Sequence, residues 1–264
     1  MKLLVIVFFL VSSLFATSFT SRYNVNISMF GKIGYIDFSI QEDTDNYELK
    51  VEAYTTGTVA SLTGNRKESF VSSGKIIDGL YIPDTFVKTK STDEKTKTQT
   101  YEFNHKTKQV TLREDKSKIV SSSEFDPVEF KIVDVNKVEK TTKTKILDNY
   151  TNDVLSAYIN IKNNCNSESQ NCPLVAVGAK NDENNISVQY LGGTEKLPSN
   201  VCFAKDTTEY YNLNVQPFDK DDEVVDILIA FDYDGHMKEA YLGDIFWVGE
   251  VRAQRVYRKV SSIR

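Results

Sequence analysis

Tyr47-Glu48-Leu49-Lys50-Val51-Glu52-Ala53 alternates apolar and charged side chains without a break. A period of two is what a β-strand with one dry and one wet face requires; a helix would repeat its apolar stripe every three to four residues. The pattern recurs on both sides of this stretch. Ile36, Phe38 and Ile40 precede it, and Tyr101 with Phe103, Val110 with Leu112, Val128, Phe130 with Ile132, and Ile186, Val188 with Tyr190 follow. Residues 224–231 form a continuous β-branched run instead, which reads as a strand buried on both faces. Turn signals fall between these runs, at residues 42–46, Ser73-Gly74, Asn104-His105-Lys106, Gly192-Gly193 and Asp234-Gly235. So many short strands predict a mainly β protein, a curved antiparallel sheet or half-open β-barrel.

Two segments break the alternation. Residues 57–62 (GTVASL) are small and apolar and read as a short helical turn. Residues 151–162 (TNDVLSAYINIK) place Val154, Leu155, Tyr158 and Ile159 on one face, with Asp153 in the first turn and Asn163-Asn164 to close the end. One covering helix is therefore expected over residues 151–162, its apolar stripe packed on the concave face of the sheet.

The composition narrows the field. In 264 residues there are 32 Lys plus Arg against 37 Asp plus Glu, a net charge of −5, with 40% hydrophobic and 11% aromatic residues. These values exclude intrinsic disorder, a multi-span membrane protein and a disulfide-dense miniprotein. The acidic balance, with no concentrated basic patch along the chain, argues against nucleic acid as a partner. The lysine- and threonine-rich residues 88–98 and 137–145 read as exposed hairpin arms with solvated faces, where edge lysines deter sheet aggregation. A docking surface for an anionic partner such as a lipid headgroup is the functional alternative.

Residues 1–18 read as an address. Lys2 gives the positive start, Leu3 to Val11 is unbroken and apolar, and Ala16-Thr17-Ser18 offers small residues for cleavage near Ser18. The run is too short for a comfortable transmembrane helix, and no later stretch is long or apolar enough to span a bilayer. Residues 19–264 are then expected to form one exported β-rich domain, with two halves (19–146 and 147–264) as a finer division. The expected location is the periplasm, with secretion as the alternative.

An oxidising compartment would favour a disulfide between Cys165 and Cys172 across the polar insert NSESQN. Cys202, between Val201 and Phe203, reads as a buried inert thiol on a strand, although its pairing with either of the other two stays open. Glu183-Asn184-Asn185-Ile186-Ser187 resembles an extended bacterial N-glycosylation acceptor at Asn185, in a polar loop entering a strand; Asn26 and Asn149 carry only the short form.

No nucleophile elbow, phosphate loop, dinucleotide fingerprint or zinc-protease motif is present in the sequence. His105 and His236 both fall in turns and read as exposed turn residues. The acidic run Asp219, Asp221, Asp222, Glu223 lacks the glycine and distal glutamate of a calcium loop and reads as solvated; residues 232–235 (DYDG) read as a β-turn. No catalytic residue, metal site or cofactor is expected.

An ordered series of short motifs resembles the exported bacterial domain-of-unknown-function family 3108. It runs from Phe30-Gly31-Lys32-Ile33-Gly34 through residues 47–53 and Thr56-Gly57 to Glu68-Ser69-Phe70, Gly74, residues 78–83 (DGLYIP) and Tyr101-Glu102-Phe103. Residues 153–158 (DVLSAY) resemble the segment between the family's two halves, and residues 243–256 its last strand pair. The cysteine loop and the lysine arms depart from it. The resemblance implies an all-β exported domain with no assigned activity. In outline it also implies a likeness to periplasmic lipoprotein carriers, which have a curved sheet with helices over its hollow. Within that frame the glycines are architectural: Gly31 and Gly34 at a strand junction, Thr56-Gly57 and Ser73-Gly74 at turns needing positive φ.

Two functional readings follow. In one, a non-catalytic periplasmic protein holds or carries a lipid, another apolar ligand or a partner segment in a hollow lined by Phe and Tyr. In the other, a structural or interaction protein of the cell envelope fills the hollow with its own side chains. The state of the interior separates them.

Overall fold

A computed structural model describes residues 16–179, 185–199, 201–215, 225–245 and 249–263. The first eight strands form an antiparallel meander: β1 (Ala16–Ile27), β2 (Gly31–Glu42), β3 (Asn46–Thr55), β4 (Lys67–Ile77), β5 (Leu80–Ser91), β6 (Lys95–Asn104), β7 (Gln109–Asp126) and β8 (Lys131–Asp148). Helix α1 (Gly57–Leu62), the expected helical turn, joins β3 to β4. The chain then makes a two-residue strand β9 (Asn152–Asp153) and the short helices α2 (Val154–Ile159) and α3 (Ile161–Asn164). It returns through β10 (Asn171–Val177), β11 (Asn185–Gly192), β12 (Thr207–Val215), β13 (Val225–Asp232), β14 (Met237–Ile245) and β15 (Gly249–Ile263). Strand β15 pairs with β1, so both runs join at the centre of one sheet ordered β8 to β1 and then β15 to β9. The protein is mainly β, and every pairing is antiparallel except that of β9 with β10.

The sheet curls like a scroll. Its β9–β10 end lies over the inner face of β4 and β5, where Ser72 of β4 donates to Asp153 of β9 at 2.7 Å. Just past β10, the Gly178 carbonyl accepts from Lys88 of β5 at 2.5 Å. Tyr158 of α2 joins the two runs from inside, its ring 6.3 Å from Phe38 on β2 and 6.1 Å from Phe231 on β13. The largest apolar cluster brings Phe19, Tyr23, Phe38, Leu49, Phe86 and Tyr101 from the meander against Leu155 and Val177. Each such side chain contributes about 1.5–3 kcal/mol by leaving water.

Strand β13 is buried on both faces, as its composition predicts. Ile229 and Phe231 face the inner cluster with Tyr211, while Leu228 and Ala230 face a second one with Val201 and Tyr210.

The structure corrects four expectations. The helix predicted over residues 151–162 is two short pieces broken at Asn160, whose side chain binds the Tyr81 backbone, and Asp153 caps α2 instead of lying in its first turn. Ser73-Gly74 is inside β4, where the register slips against β5. Gly74 is needed for close approach, not for a turn: a Cβ would collide with the Ile82 carbonyl and come within 2.8 Å of the Asp84 nitrogen. Val128 and Phe130 do not lie on a half-buried strand but at the exposed tip of the β7–β8 hairpin, 90% and 83% exposed, and Ile132 just beyond them is exposed too. Cys202 is neither buried nor on a strand; it is an exposed free thiol in an irregular segment whose carbonyl accepts from Arg252.

Candidate functional site

The inner face of the sheet carries two environments that meet on β5. Successive residues facing inward on this strand are Phe86, Lys88 and Lys90, two apart as the pleat demands. Register places them opposite Tyr101, Gln99 and Lys97 on β6, and these opposite Leu112, Glu114 and Lys116 on β7. One rung is an apolar core and the next is mixed. The third is three lysines abreast.

At the apolar end the hollow is filled by the chain itself. Asp153 accepts from the backbone nitrogens of Leu155 (2.7 Å) and Ser156 (3.1 Å), while the Ser156 hydroxyl accepts from the Asp153 nitrogen at 3.0 Å. This reciprocal capping box fixes the start of α2. Ser72 and Tyr47 extend the network, their hydroxyls 3.1 Å apart. Burial pushes the Asp153 carboxyl above its ordinary range, although the hydrogen bonds from Ser72, Ser156 and Leu155 pull the other way. At the helix break, buried Asn160 exchanges two hydrogen bonds with the Tyr81 backbone (2.9 and 3.0 Å), and Asn163 donates to the Gly79 carbonyl. The α2–α3 segment is thus stitched to β4 and β5 by specific polar contacts in addition to apolar packing.

Lys88 marks the boundary. It is 7% exposed, its ammonium lies 5.6 Å from the Phe70 ring centroid, and it donates to the Gly178 carbonyl. Burial, reinforced by Lys90, pushes its pKa down to about 8. Gly178 has φ +93°, and any Cβ there would strike the Phe86 ring, so this crossing of β10 over β5 requires glycine.

Beyond Lys88 the inner face opens into a groove of about 570 Å³. Arg66, Lys90, Lys95, Lys97, Lys116 and Lys118 line it, along with Thr63, Ser91, Thr92, Thr96 and Ser117. This corrects two expectations. The sequence shows no concentrated basic patch along the chain, yet the sheet register assembles one from three strands. Residues 88–98 are not a uniformly solvated arm, because Lys88 is core; residues 137–145 are exposed as expected. The readable signal was Lys-x-Lys at 88–90, 95–97 and 116–118, since a spacing of two puts both lysines of a pair on one face.

The other predicted positions are scattered. His105 is exposed in the β6–β7 turn, its Nε2 2.7 Å from the Pro83 carbonyl oxygen. His236 stacks on Phe19 of β1, so the two histidines do not meet. The turn at residues 232–235 folds around Asp232, which accepts from the Asp234 and His236 nitrogens and is paired with Arg255 at 2.5 Å. Burial would raise the Asp232 carboxyl, but Arg255 and the His236 nitrogen hold it below the usual range. Cys165 and Cys172 form the disulfide that ties the end of α3 to the start of β10, with Cα atoms 5.7 Å apart. Asn185 is the first residue of β11, opposite Val175, and not in a loop. The acidic run at 219–223 and residues 1–15 lie outside the described residues. Among the described residues, no helix is long and apolar enough to cross a membrane, and no three His, Cys, Asp or Glu side chains gather to hold a metal ion.

No family model matches the chain. No curated protein matches it either. Among solved structures, the chain is similar to a beta-barrel-like protein of domain of unknown function DUF1849 from Brucella abortus. The two share 10% identity at a TM-score of 0.42, over 93% of this chain and 98% of that one.

Proposed function

We propose that this is an exported, non-catalytic interaction protein of the cell envelope, akin to family 3108, whose hollow is occupied by its own chain. The address-like residues 1–18 and the Cys165–Cys172 disulfide support export. The observation that carries the reading is the filled concave face. Phe38, Tyr47, Phe86 and Phe231, the aromatics expected to line a ligand hollow, pack instead on one another and on α2 and β10. A carrier would have to expel α2, breaking the Asp153 cap, the Ser72 bond and both Asn160–Tyr81 bonds.

Native-state hydrogen exchange tests this directly. The α2 amides at residues 156–159 are expected to exchange as slowly as those of β3 and β5, through global opening alone. If α2 exchanges much faster than the strands beneath it, the segment is a removable lid and the apolar-carrier reading replaces this one. The mature N-terminus is a second readout. Ala16, Thr17 and Ser18 pair with residues 261–263 of β15, so processing ahead of Ala16 would keep the full strand, whereas processing after Ser18 would shorten it by three pairs.

A further inference from the structure

The basic groove on the inner face of β5–β7 has features that a merely solvated surface does not require. Lys90, Lys97 and Lys116 are directly opposite one another across three adjacent strands, about 5 Å from strand to strand. Lys95 and Lys118, paired across β6 and β7, form a second row about 7 Å further along the strands, and Arg66 lies just ahead of β4. Like charges in register destabilise a sheet, and this chain is acidic overall, with a net charge of −5. Two carboxylates compensate in part. Glu68 is shared by Arg66 and Lys90, and Glu114 by Lys97 and Lys116, both at 2.7 Å. Burial works against the Glu114 charge, yet Lys116 and Lys97 hold its carboxyl below the usual range. Four cations thus share two anions, and Lys95 and Lys118 have no carboxylate partner among the described residues. Asp93 and Glu94 lie in the β5–β6 turn and Glu139 opposite Lys118; Asp93 accepts from Asn65.

We propose that this groove binds a ligand carrying two or more clustered phosphate groups, presented by a lipid headgroup or by a soluble molecule. Lysine serves such groups as a compact point charge with three donors, and Arg66 adds a planar fork. Concave walls focus the field of all six cations on the same volume. A bound polyanion would also relieve the repulsion between the lysine rows, so binding should raise thermal stability through mass action. This inference names the partner chemistry of the interaction reading and rests on it, but not on α2 being fixed.

The test uses purified full-length protein and two probes. One is inorganic tripolyphosphate, followed by calorimetry and thermal melting against chloride at equal ionic strength. The other is phosphatidylcholine vesicles with and without cardiolipin, followed by co-sedimentation. Lys95→Gln with Lys118→Gln removes the two unpartnered charges without stranding a carboxylate; Lys140→Gln, on the opposite face of β8, is the control. Saturable tripolyphosphate binding with a raised melting temperature, weakened at least tenfold in the double variant and unchanged in the control, supports the site with a soluble ligand. Binding to cardiolipin vesicles alone, with the same dependence, supports it with a lipid source. Binding of neither probe, or binding that the double variant leaves intact, overturns the proposal. Slow exchange of α2 would still stand in that case, so the two readings fail separately.

Discussion

Phe86 and Lys90 sit on the same strand and the same face, four residues apart, yet they belong to different kinds of structure. Phe86 is wholly buried between the rings of Phe70 and Tyr101 and beneath Gly178. Lys90 opens into a groove lined by six cations. The difference comes from what lies across the sheet. Where β9, α2 and β10 cross over, the inner face is apolar and closed; where they stop, it becomes charged and open. Coverage, not strand chemistry alone, decides which part of the scroll is core.

The comparison breaks most decisively at Phe86. Phe86→Ala is expected to cost about 3–5 kcal/mol in urea unfolding, because the surrounding rings cannot collapse into the space. Lys95→Ala, on the same face of the neighbouring strand, should cost less than about 0.5 kcal/mol. Comparable losses would mean that the groove is also core.

Next in size is the cap that holds the covering segment. Asp153→Ala removes the α2 cap and leaves the Ser72 hydroxyl without its buried acceptor, an expected loss of about 2–4 kcal/mol. Asp153→Asn keeps an acceptor oxygen at the helix start and sheds a buried charge, so its loss should be less than half as large. An equal loss in both variants would show that the network needs the charge itself.

Lys88 lies at the frontier, and its signature is a pH dependence. The folded protein prefers this amine neutral, with a pKa near 8 against 10.5 for an ordinary lysine. Between those values the unfolded chain binds more protons, so stability attributable to Lys88 rises with pH from about 8 to 10.5, by at most about 3 kcal/mol. Lys88→Met should remove this rise. Parallel slopes for parent and variant between pH 7.5 and 10 would place Lys88 in the open region with its neighbours. Opening the Cys165–Cys172 disulfide, which anchors the covering segment from its far end, should cost about 2 kcal/mol on the chain-entropy model.

The strands of the covered region were largely legible in the sequence, since alternation over residues 47–53 and the continuous run at 224–231 report burial on one face and on two. The broken helix was less so. Its apolar stripe was visible, but Asn160 binding the Tyr81 backbone depends on a partner 79 residues away. The groove was legible only in fragments. Each Lys-x-Lys pair predicts a shared face, while the alignment of three pairs depends on hairpin register, which is set by the turns at 92–95 and 104–109. Alternation misled at Val128, Phe130 and Ile132, because a period of two states which face a side chain takes and not whether anything covers that face.

The β7–β8 arm extends this contrast to its limit. Past Lys118 and Glu139 no third strand lies beside the arm among the described residues, because β6 begins at Lys95, the partner of Lys118. A two-stranded ribbon without a covering layer is marginal by itself, so residues 119–138 must draw their order from the wider sheet behind them. The paired charges along the arm, such as Lys137 with Glu124, are exposed and contribute little. Replacing both Val128 and Phe130 by Ser should therefore change unfolding stability by no more than about 0.5 kcal/mol. A loss above 1 kcal/mol would mean that the tip is covered in solution, by the body of the protein or by a second copy. Repeating the melt at tenfold dilution separates these, because only contact between copies weakens with concentration.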